Sequence, residues 1–337
     1  MPTLTVALAS YNCDSYVVEA LESLAPSCIR TRTKLVVIDD CSSDRSIDLI
    51  RAVGDRFRDL DLTLEQNDSN QSLGYVRNRS IELCDTDYIV MVDADDVFHP
   101  DFCNIILNAL DNNLGVDALV FNYTVFYGSD LPENAWNGDV APFKSVSPLD
   151  ILARPAFTWI KAFNTDSLKK SGVRFQPNVS RQDIFPHWDF FTQENLKIIM
   201  SPQSLVAYRQ NDKSATFDNG AKLLDMFFAL ELIENFVASK LSGESENLYL
   251  RWKYSVMFGT CSRIKRAHRN LALEKTKKLV KVAEYKRVRA NLKLNYNDIR
   301  KRIFYKFIFN DQLFLRITFK VSESAHNILR KVKSWLI

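Results

Sequence analysis

Short apolar runs that end in acidic residues set the pattern of the first hundred positions. Residues 4–9, 35–38 and 88–92 are almost entirely apolar, and the second and third runs pass directly into Asp39 and Asp93. Such runs are too short to span a membrane and lack helical spacing, so they indicate buried strands of a mostly parallel sheet. Apolar residues at helical spacing follow the first two runs, and this alternation of strand and helix predicts parallel pairing in an α/β fold.

The remaining periodicity extends the same fold. Helices are predicted over residues 16–24, 42–53 and 74–84, and strands over residues 60–65 and 119–127. Asn12 or Asp14 is expected to cap the first of these helices. Residues 129–148 are polar and contain Gly, Pro and Asn, which predicts a loop.

The pattern changes to long amphipathic helices in the last third of the chain. We therefore expect two domains, residues 1–215 and residues 216–337. Gly243, beside two serines, separates a first helix from a second helical stretch. The expected elements are helices over residues 221–236, 246–293 and 326–337, and a stretch over residues 313–321 whose alternation fits a strand as well as a helix.

Composition places the chain among ordinary globular proteins. It has 337 residues, of which 46% are hydrophobic and 25% charged, enough for two domains with a sizeable core. The six cysteines form no C-x-x-C pair and no zinc-ligand spacing with the four histidines, so we expect a reducing cytoplasm. The N-terminus lacks a basic segment before its apolar run and no 18 apolar residues are consecutive, so we expect neither a secretion signal nor a transmembrane helix.

The net charge of +3 conceals two oppositely charged regions. Residues 1–250 contain 21 Lys and Arg against 36 Asp and Glu, whereas residues 251–337 contain 23 against 5. A basic region of this kind indicates a solvated face or a surface that meets phosphate groups on nucleic acid or lipid.

Acidic residues are expected to gather at one edge of the sheet. Asp40 and the group Asp93, Asp95 and Asp96 follow two different parallel strands, and open α/β sheets bind ligands at the carboxyl ends of their strands. Carboxylates this close repel one another unless a divalent cation or solvent neutralises them. The alternative is a solvated acidic turn that caps the following helix.

Four segments resemble, in order and spacing, the motifs of family 2 glycosyltransferases: residues 9–12, 37–44, 70–78 and 92–100. The resemblance covers roughly residues 3–215 and implies a GT-A (Rossmann-like) mostly parallel sheet flanked by helices, followed here by a C-terminal helical extension. It also implies a nucleotide-sugar donor, usually UDP-linked, a divalent metal such as Mn²⁺ or Mg²⁺, and inversion at the anomeric carbon.

The chain departs from the family pattern at three places. Cys41 and Ser72 stand where glycine is usual, and Ala9 and Ser10 replace a Pro-Thr pair. Cys41 and Ser72 must adopt the dihedral angles of the glycines if the turns are kept.

The resemblance assigns roles residue by residue. The implied donor-binding residues are Ser10, Tyr11, Asp40, Arg77, Asp93, Ala94, Lys161 and Arg209, and the implied metal ligands are Asp93, Asp95 and Asp96. An ionised Asp40 can accept a hydrogen bond from the uracil imide, although it could instead cap a helix. The guanidinium group of Arg77 can donate hydrogen bonds to the base or the phosphates of the donor, and the alternative is that Arg77 forms a surface ion pair. Arg209 or Lys213 is expected to clamp the diphosphate, and Trp159 is expected near the donor and acceptor or in the core.

An inverting transfer needs a base that removes the proton of the acceptor hydroxyl. Asp183 occupies the family position of that base, and Gln182 stands where a second acid is usual. Asp189 is the second candidate, and the alternative for Asp183 is a helix N-cap.

We therefore predict a hexosyl- or N-acetylhexosaminyltransferase that acts on a surface glycan or its lipid-linked precursor, as in capsule or lipopolysaccharide biosynthesis. We expect it in the cytoplasm, with the basic C-terminal region against the anionic inner face of the cell membrane. A sugar nucleotidyltransferase would need a Gly-rich basic loop after the first strand, which residues 10–14 lack. A nucleic-acid-binding protein, acting through the basic region, would leave the acidic motifs unexplained.

Overall fold

The structure is a computed structural model that describes residues 1–128, 131–133, 135, 136, 140–210 and 220–290. The chain divides into two compact units, Met1–Phe217 and Asp218–Ile337. The elements expected over residues 313–321 and 326–337, together with Lys213, lie outside the described residues.

The first unit begins with the predicted alternation of strands and helices. Its elements are β1 (Leu4–Ser10), α1 (Val17–Thr31), β2 (Lys34–Asp39), α2 (Ser46–Arg56), β3 (Leu62–Gln66), α3 (Leu73–Leu83), β4 (Tyr88–Asp93), β5 (Val97–Phe98), α4 (Phe102–Asp111) and β6 (Ala118–Tyr127). The predicted cap of α1 was wrong, because Tyr16 holds the N-cap position and no side chain bonds there. Asn12 instead accepts the backbone N–H of Ser43 at 2.8 Å.

The second half of the unit contains short helices, short strands and one long strand. They are β7 (Lys144–Val146), α5 (Pro148–Leu152), a 3-10 turn (Thr158–Ile160), β8 (Lys161–Asn164), α6 (Thr165–Lys170), α7 (Ile184–Phe191) and β9 (Ile198–Gln210). The loop predicted over residues 129–148 was partly wrong, because β7 lies within it and pairs with β9.

The strand order in the described sheet is β3, β2, β1, β4, β8, β6, β9, β5, with β7 also on β9. β3, β2, β1 and β4 are parallel, and β8 runs antiparallel to both of its neighbours. In this register Ser10 lies opposite Asp39 and Ala9 lies opposite Asp93. The expected meeting of acidic residues at one edge of the sheet is confirmed.

Helices cover both faces of the sheet. On α1, Val17, Leu21 and Leu24 lie on one buried face, and they pack in the same core as Leu8 of β1. On the opposite face, Val76 of α3 packs against Val36 and Ile38 of β2. Burial of one such side chain contributes about 1.5–3 kcal/mol, so packing rather than helix propensity fixes these helices.

The turns at Cys41 and Ser72 keep the shape that glycine would allow. Cys41 has φ 62° and Ser72 has φ 80°, both in the left-handed region. The expectation that these residues adopt the dihedral angles of glycine is confirmed.

The second unit contains helices in its described part. They are α8 (Asp225–Phe236), α9 (Gly243–Arg263), α10 (Arg269–Leu279) and α11 (Val282–Ala290), so the single helical stretch expected after residue 246 is three helices. Lys253, which is fully buried, bonds Glu234 at 2.7 Å and Glu284 at 2.9 Å, and thereby ties α8, α9 and α11 together. None of the helices in the described ranges combines the length and the apolarity that crossing a bilayer requires.

Candidate active site

A cavity of about 720 Å³ opens at the carboxyl ends of β1, β2 and β4. Its walls are the loop over residues 9–16, Asp40, the start of α3, and residues 93–95 of the acidic turn. Of the predicted donor-binding residues, it brings together Ser10, Tyr11, Asp40, Asp93 and Ala94.

Asp39 holds the floor of this cavity in place. Its carboxylate is fully buried and accepts the hydroxyl of Ser10 at 3.0 Å, and the backbone N–H and hydroxyl of Ser42 at 2.9 and 2.6 Å. The loops after β1 and β2 are therefore tied to one acid. The prediction from sequence named Asp40 and not Asp39, although Asp39 directly follows the apolar run and is the last residue of β2.

Asp40 is bound by three protein donors. Its carboxylate accepts the backbone N–H groups of Gln71 and Ser72, each at 2.8 Å, and the side-chain amide of Asn67 at 2.6 Å. A carboxylate offers about four acceptor positions, so one stays available to a ligand in the cavity. Tyr11, on the same wall, is 51% exposed and presents a planar ring.

The acidic turn directs Asp93 and Asp95 toward the cavity. Asp93 pairs with Arg77 at 3.1 Å, and Arg77 is itself 3% exposed. Because Arg77 is buried, its ion pair with Asp93 is not the surface ion pair given as the alternative. Arg77 is not among the residues that line the cavity, and its contact with the donor stays a prediction. Burial, and secondly the charge of Asp93, raise the pKa of Asp95 to about 6.

Asp96 and Arg209 lie behind the acidic turn. Asp96 is 1% exposed and accepts the backbone N–H of Arg209 at 3.0 Å. The guanidinium of Arg209 is buried and donates to the carbonyl of Asp95 at 2.9 Å, to the carbonyl of Gly128, and to Glu19. The guanidinium of Arg209 thus fixes the shape of the turn, and its predicted diphosphate contact stays a prediction. One oxygen of Asp96 is bonded to the backbone, whereas Oδ2 is buried without a hydrogen-bond partner in the described structure, so the ligand role of Asp96 also stays a prediction.

Lys161 lies in a second, much smaller cavity between β8 and α7. This cavity has a volume of about 10 Å³ and is lined by Lys161, Asp183 and His187 among mainly apolar side chains. The ammonium group donates to the carbonyl of Phe157 and, at 3.5 Å, to that of Pro155. Lys161 is not among the residues that line the large cavity, so its predicted donor contact stays a prediction.

Asp183 stands directly before α7 at the N-cap position, but its side chain makes no capping bond. Burial raises the pKa of Asp183, while the charges of Arg77 and Lys161 act to lower it. Asp189 lies further along α7 and is not part of the small cavity. The capping alternative therefore does not account for the Asp183 carboxylate, and its role as base stays a prediction.

Helix α3 connects the acidic turn to the segment that leads to Asp183. The side chain of Asn78 exchanges two hydrogen bonds with the backbone of Phe175, at 2.8 and 2.9 Å. Gly74 allows the carbonyl of Gln176 to approach so closely that a Cβ would lie 2.2 Å from its oxygen. Arg77, on the same helix, lies 5.7 Å from the ring of Phe175.

Trp159 belongs to an aromatic cluster. It is 5% exposed, stacks on Phe157 at 5.0 Å, and contacts Tyr123 and Tyr208 at the same distance. Of its two expected places, the core is confirmed.

A divalent cation fits this site only together with a ligand. Among the described residues, no group of three or more Asp, Glu, His or Cys side chains is arranged to hold a metal ion by itself. Asp93 and Asp95 nevertheless face the cavity as two adjacent acids, and Mg²⁺ is commonly held by one or two carboxylates together with substrate phosphates. These two residues would hold the metal, and a contribution from Asp96 stays a prediction.

Comparison with known proteins places this site in a family. Residues 5–169 match the family model described as Glycosyl transferase family 2. The chain is similar to the putative glycosyltransferase EpsH of Bacillus subtilis, with 29% identity over 36% of this chain and 34% of the relative. It is also similar to the poly(ribitol-phosphate) beta-N-acetylglucosaminyltransferase TarS of Staphylococcus aureus, with 25% identity over 52% of this chain and 30% of the relative. The matched region therefore spans about a third of each of these relatives.

Solved structures agree on the fold. The crystal structure of S. aureus TarS 1-349 in complex with UDP-GlcNAc matches with a TM-score of 0.71 and 18% identity, over 96% of this chain and 91% of that chain. The mannosyltransferase PcManGT of Pyrobaculum calidifontis, in complex with GDP-Man and Mn²⁺, matches with a TM-score of 0.54 and 15% identity, over 98% and 88%. The sequence match places the chain, through residues 5–169, in glycosyl transferase family 2, and the solved structures show that its fold is the GT-A fold.

Proposed function

We propose that the protein transfers a sugar from a UDP-linked nucleotide-sugar to a hydroxyl group of its acceptor, with inversion at the anomeric carbon. The observation that carries this proposal is the single cavity that joins Tyr11 and Asp40 at one end to Asp93 and Asp95 at the other. A nucleoside diphosphate has the same two parts, a planar base and an anionic diphosphate.

The donor would lie along this cavity. The ring of Tyr11 is available to the uracil, and the free acceptor position of Asp40 is available to its imide N–H. A divalent cation held by Asp93 and Asp95 would neutralise the charge that develops on the leaving diphosphate. The ion pair with Arg77 holds the carboxylate of Asp93 in place at the carboxyl end of β4.

Asp183 is the proposed base. As the acceptor oxygen attacks the anomeric carbon, Asp183 takes the hydroxyl proton, the bond from that carbon to the diphosphate breaks, and the nucleotide leaves on the opposite side. One carboxylate is sufficient for this step.

Relatives suggest which substrates to test first. TarS is named for transfer of N-acetylglucosamine to poly(ribitol-phosphate), and its structure contains UDP-GlcNAc. UDP-GlcNAc is therefore the first donor to test, with a hydroxyl of a surface glycan or of a lipid-linked precursor as the acceptor. The PcManGT complex contains Mn²⁺, which supports Mn²⁺ as the first metal to test. Neither a nucleotidyltransferase nor a nucleic-acid-binding protein gains support from these matches.

The test combines donor binding with turnover. In a thermal-shift screen of nucleotide-sugars, a UDP-sugar together with Mn²⁺ should raise the melting temperature, because a ligand that binds the folded state stabilises it. UDP release from UDP-GlcNAc should require Mn²⁺ and stop in excess EDTA. Asp95→Asn should abolish both the metal-dependent shift and UDP release, whereas Asp183→Asn should keep the shift and lower turnover about 10²–10⁴-fold.

Asp96→Asn is the matched control for Asp95→Asn. Because Asp96 accepts the backbone N–H of Arg209 and is not among the residues that line the cavity, an amide there should leave metal-dependent binding in place. Full activity of Asp95→Asn, or activity that is indifferent to EDTA, would remove the metal from the proposal. No response to any nucleotide-sugar would refute the function itself.

A further inference from the structure

Lys161 is a buried cation that the donor cavity does not use. It is 1% exposed, and its described bonds are to two backbone carbonyls of the preceding turn. A buried ammonium group is stable only where an anion or several acceptors face it. Burial lowers the pKa of Lys161 to about 7, and the charge of Asp183 acts to raise it. Asp183 is thus the anionic group whose charge favours the protonated form of Lys161.

The small cavity between these two residues has the size of one water molecule. The cavity has a volume of about 10 Å³, which is roughly the space that the centre of a single buried water molecule needs. His187 lines the cavity and is 5% exposed, and apart from the backbone of Leu152, which lies near the ring, neither ring nitrogen has a hydrogen-bond partner at bonding distance in the described structure. Buried polar atoms of this kind are usually satisfied by ordered water, which needs two to four polar partners. Lys161, Asp183 and His187 are the polar residues that line this otherwise apolar cavity and can supply such partners.

We propose, on the basis of the proposed function, that Lys161 is a positioning residue for the base, and that one water held against His187 links the Lys161 ammonium to the Asp183 carboxylate. The base would then be held from inside the protein while its outer side meets the acceptor. This assignment replaces the donor contact that the sequence suggested for Lys161.

The charges around Asp183 make the proposal specific. Arg77 faces it from α3 and Lys161 from β8, while Arg181 precedes it and His187 lies on α7. Burial, and secondly the charge of Lys161, lower the pKa of His187 well below its ordinary value, so this ring is neutral and can accept a hydrogen from the water. The charges of Arg77 and Lys161 oppose the effect of burial, which on balance raises the pKa of Asp183.

A titration of Asp183 tests the inference directly. In protein labelled with ¹³C at aspartate carboxyl groups, the Asp183 signal is identified by its loss in Asp183→Asn. Its titration midpoint in the wild type is compared with that in Lys161→Met and Lys161→Arg. Loss of an opposite charge at this range should raise the midpoint by about one pH unit or more in Lys161→Met, and by less in Lys161→Arg, which keeps the charge. Lys170→Met, which removes an exposed lysine of α6, is the matched control and should leave the midpoint unchanged.

An unchanged midpoint in Lys161→Met would overturn the proposal. Should this variant fail to fold, His187→Leu provides the second measurement, because it removes the water contact and leaves both charges. A midpoint raised in His187→Leu supports the link, and an unchanged one contradicts it. A crystal structure that shows the cavity empty would also refute the water bridge.

The titration uses neither donor nor acceptor, so its result is independent of the proposed function. If the protein proves inactive with every nucleotide-sugar, a raised midpoint still establishes the pairing of Lys161 with Asp183. If transfer is observed, the acid limb of its pH profile should move upward in Lys161→Met while the KM for the donor stays the same. A purely structural role of Lys161 would change activity at all pH values alike.

Discussion

Cys41 and Ser72 occupy backbone conformations that L-residues adopt only at a cost. Left-handed dihedral angles cost about 1–2 kcal/mol for residues other than glycine. Both residues border Asp40, Cys41 in sequence and Ser72 through its N–H. Their strain therefore lies at the wall of the donor cavity, where a change in loop shape would reach the ligand.

Replacement of Cys41 tests this strain. Cys41→Gly should raise the free energy of unfolding by up to about 1 kcal/mol, because relief of the strained φ exceeds the extra entropy of glycine in the unfolded chain. Cys41→Val should lower it, since a β-branched residue suits this conformation least. Urea denaturation should give the stability order Gly, Cys, Val, and a valine variant as stable as the glycine variant would contradict the argument.

The lowered pKa of His187 predicts how the stability of the protein depends on pH. Its depressed pKa means that the folded protein keeps the ring neutral, whereas the unfolded chain protonates it below pH about 6.5. The unfolded state then binds more protons, so stability should fall as the pH falls from 6.5 to 5, by at most about 1.4 kcal/mol per pH unit from this residue.

The measurement is the difference in melting temperature between pH 7 and pH 5. His187→Phe should reduce this difference, since it removes the group that must be protonated on unfolding. The same pH difference in wild type and variant would show that other groups account for acid sensitivity.

At the scale of elements, α3 joins the acidic turn to the segment before Asp183. Arg77 pairs with Asp93, and the next residue, Asn78, holds the backbone of Phe175. A shift of this helix would therefore move the donor site and the proposed base together.

Gly74→Ala tests the contact between α3 and that segment. The added Cβ would lie 2.2 Å from the carbonyl oxygen of Gln176, and a backbone group cannot move aside as a flexible side chain can. We expect a loss of stability of about 1–3 kcal/mol, as for overpacked interiors, and a lower rate of UDP release.

Gly259→Ala is the matched control, because it is also a helical glycine and its Cβ would meet nothing within 4 Å. This change should stabilise α9 by about 1 kcal/mol or less. Equal effects of the two substitutions on the melting temperature would contradict the close contact at Gly74.

Periodicity predicts the elements here better than it predicts where side chains point. β1, β2 and β4 are buried along nearly their whole length, so their sequences are continuously apolar and identify them. β7 and β8 have three and four residues, too few to show a period. Asp96 and Lys161 both resemble site residues in sequence. The direction of the Asp96 side chain depends on Arg209, which is 113 positions away. The direction of the Lys161 side chain depends on the small cavity that it shares with Asp183. Such distant partners leave no local signal.

At the scale of the whole molecule, the two parts of the chain differ in the sign of their net charge. The acidic cavity lies in the first unit, and the basic residues concentrate after residue 250. In the described part of the second unit, Lys265, Arg266 and Lys278 are exposed near and on α10. Since basic side chains contribute about 1 kcal/mol each at an anionic bilayer, a few of them facing lipid are enough for reversible attachment.

We therefore predict that the protein binds anionic lipid through this region and so reaches a lipid-linked acceptor. Co-sedimentation should detect binding to vesicles that contain phosphatidylglycerol and little to neutral phosphatidylcholine vesicles, and binding should weaken as NaCl rises, because salt screens charges beyond about 10 Å at 0.1 M. Replacing Lys265, Arg266 and Lys278 with Glu should weaken it. The same change of charge at Arg58, Lys144 and Lys170, which are exposed in the first unit, is the control and should have a smaller effect. Equal binding to both kinds of vesicle would indicate apolar insertion, and binding to neither would leave the basic region as a surface for an anionic acceptor or for packing within the protein.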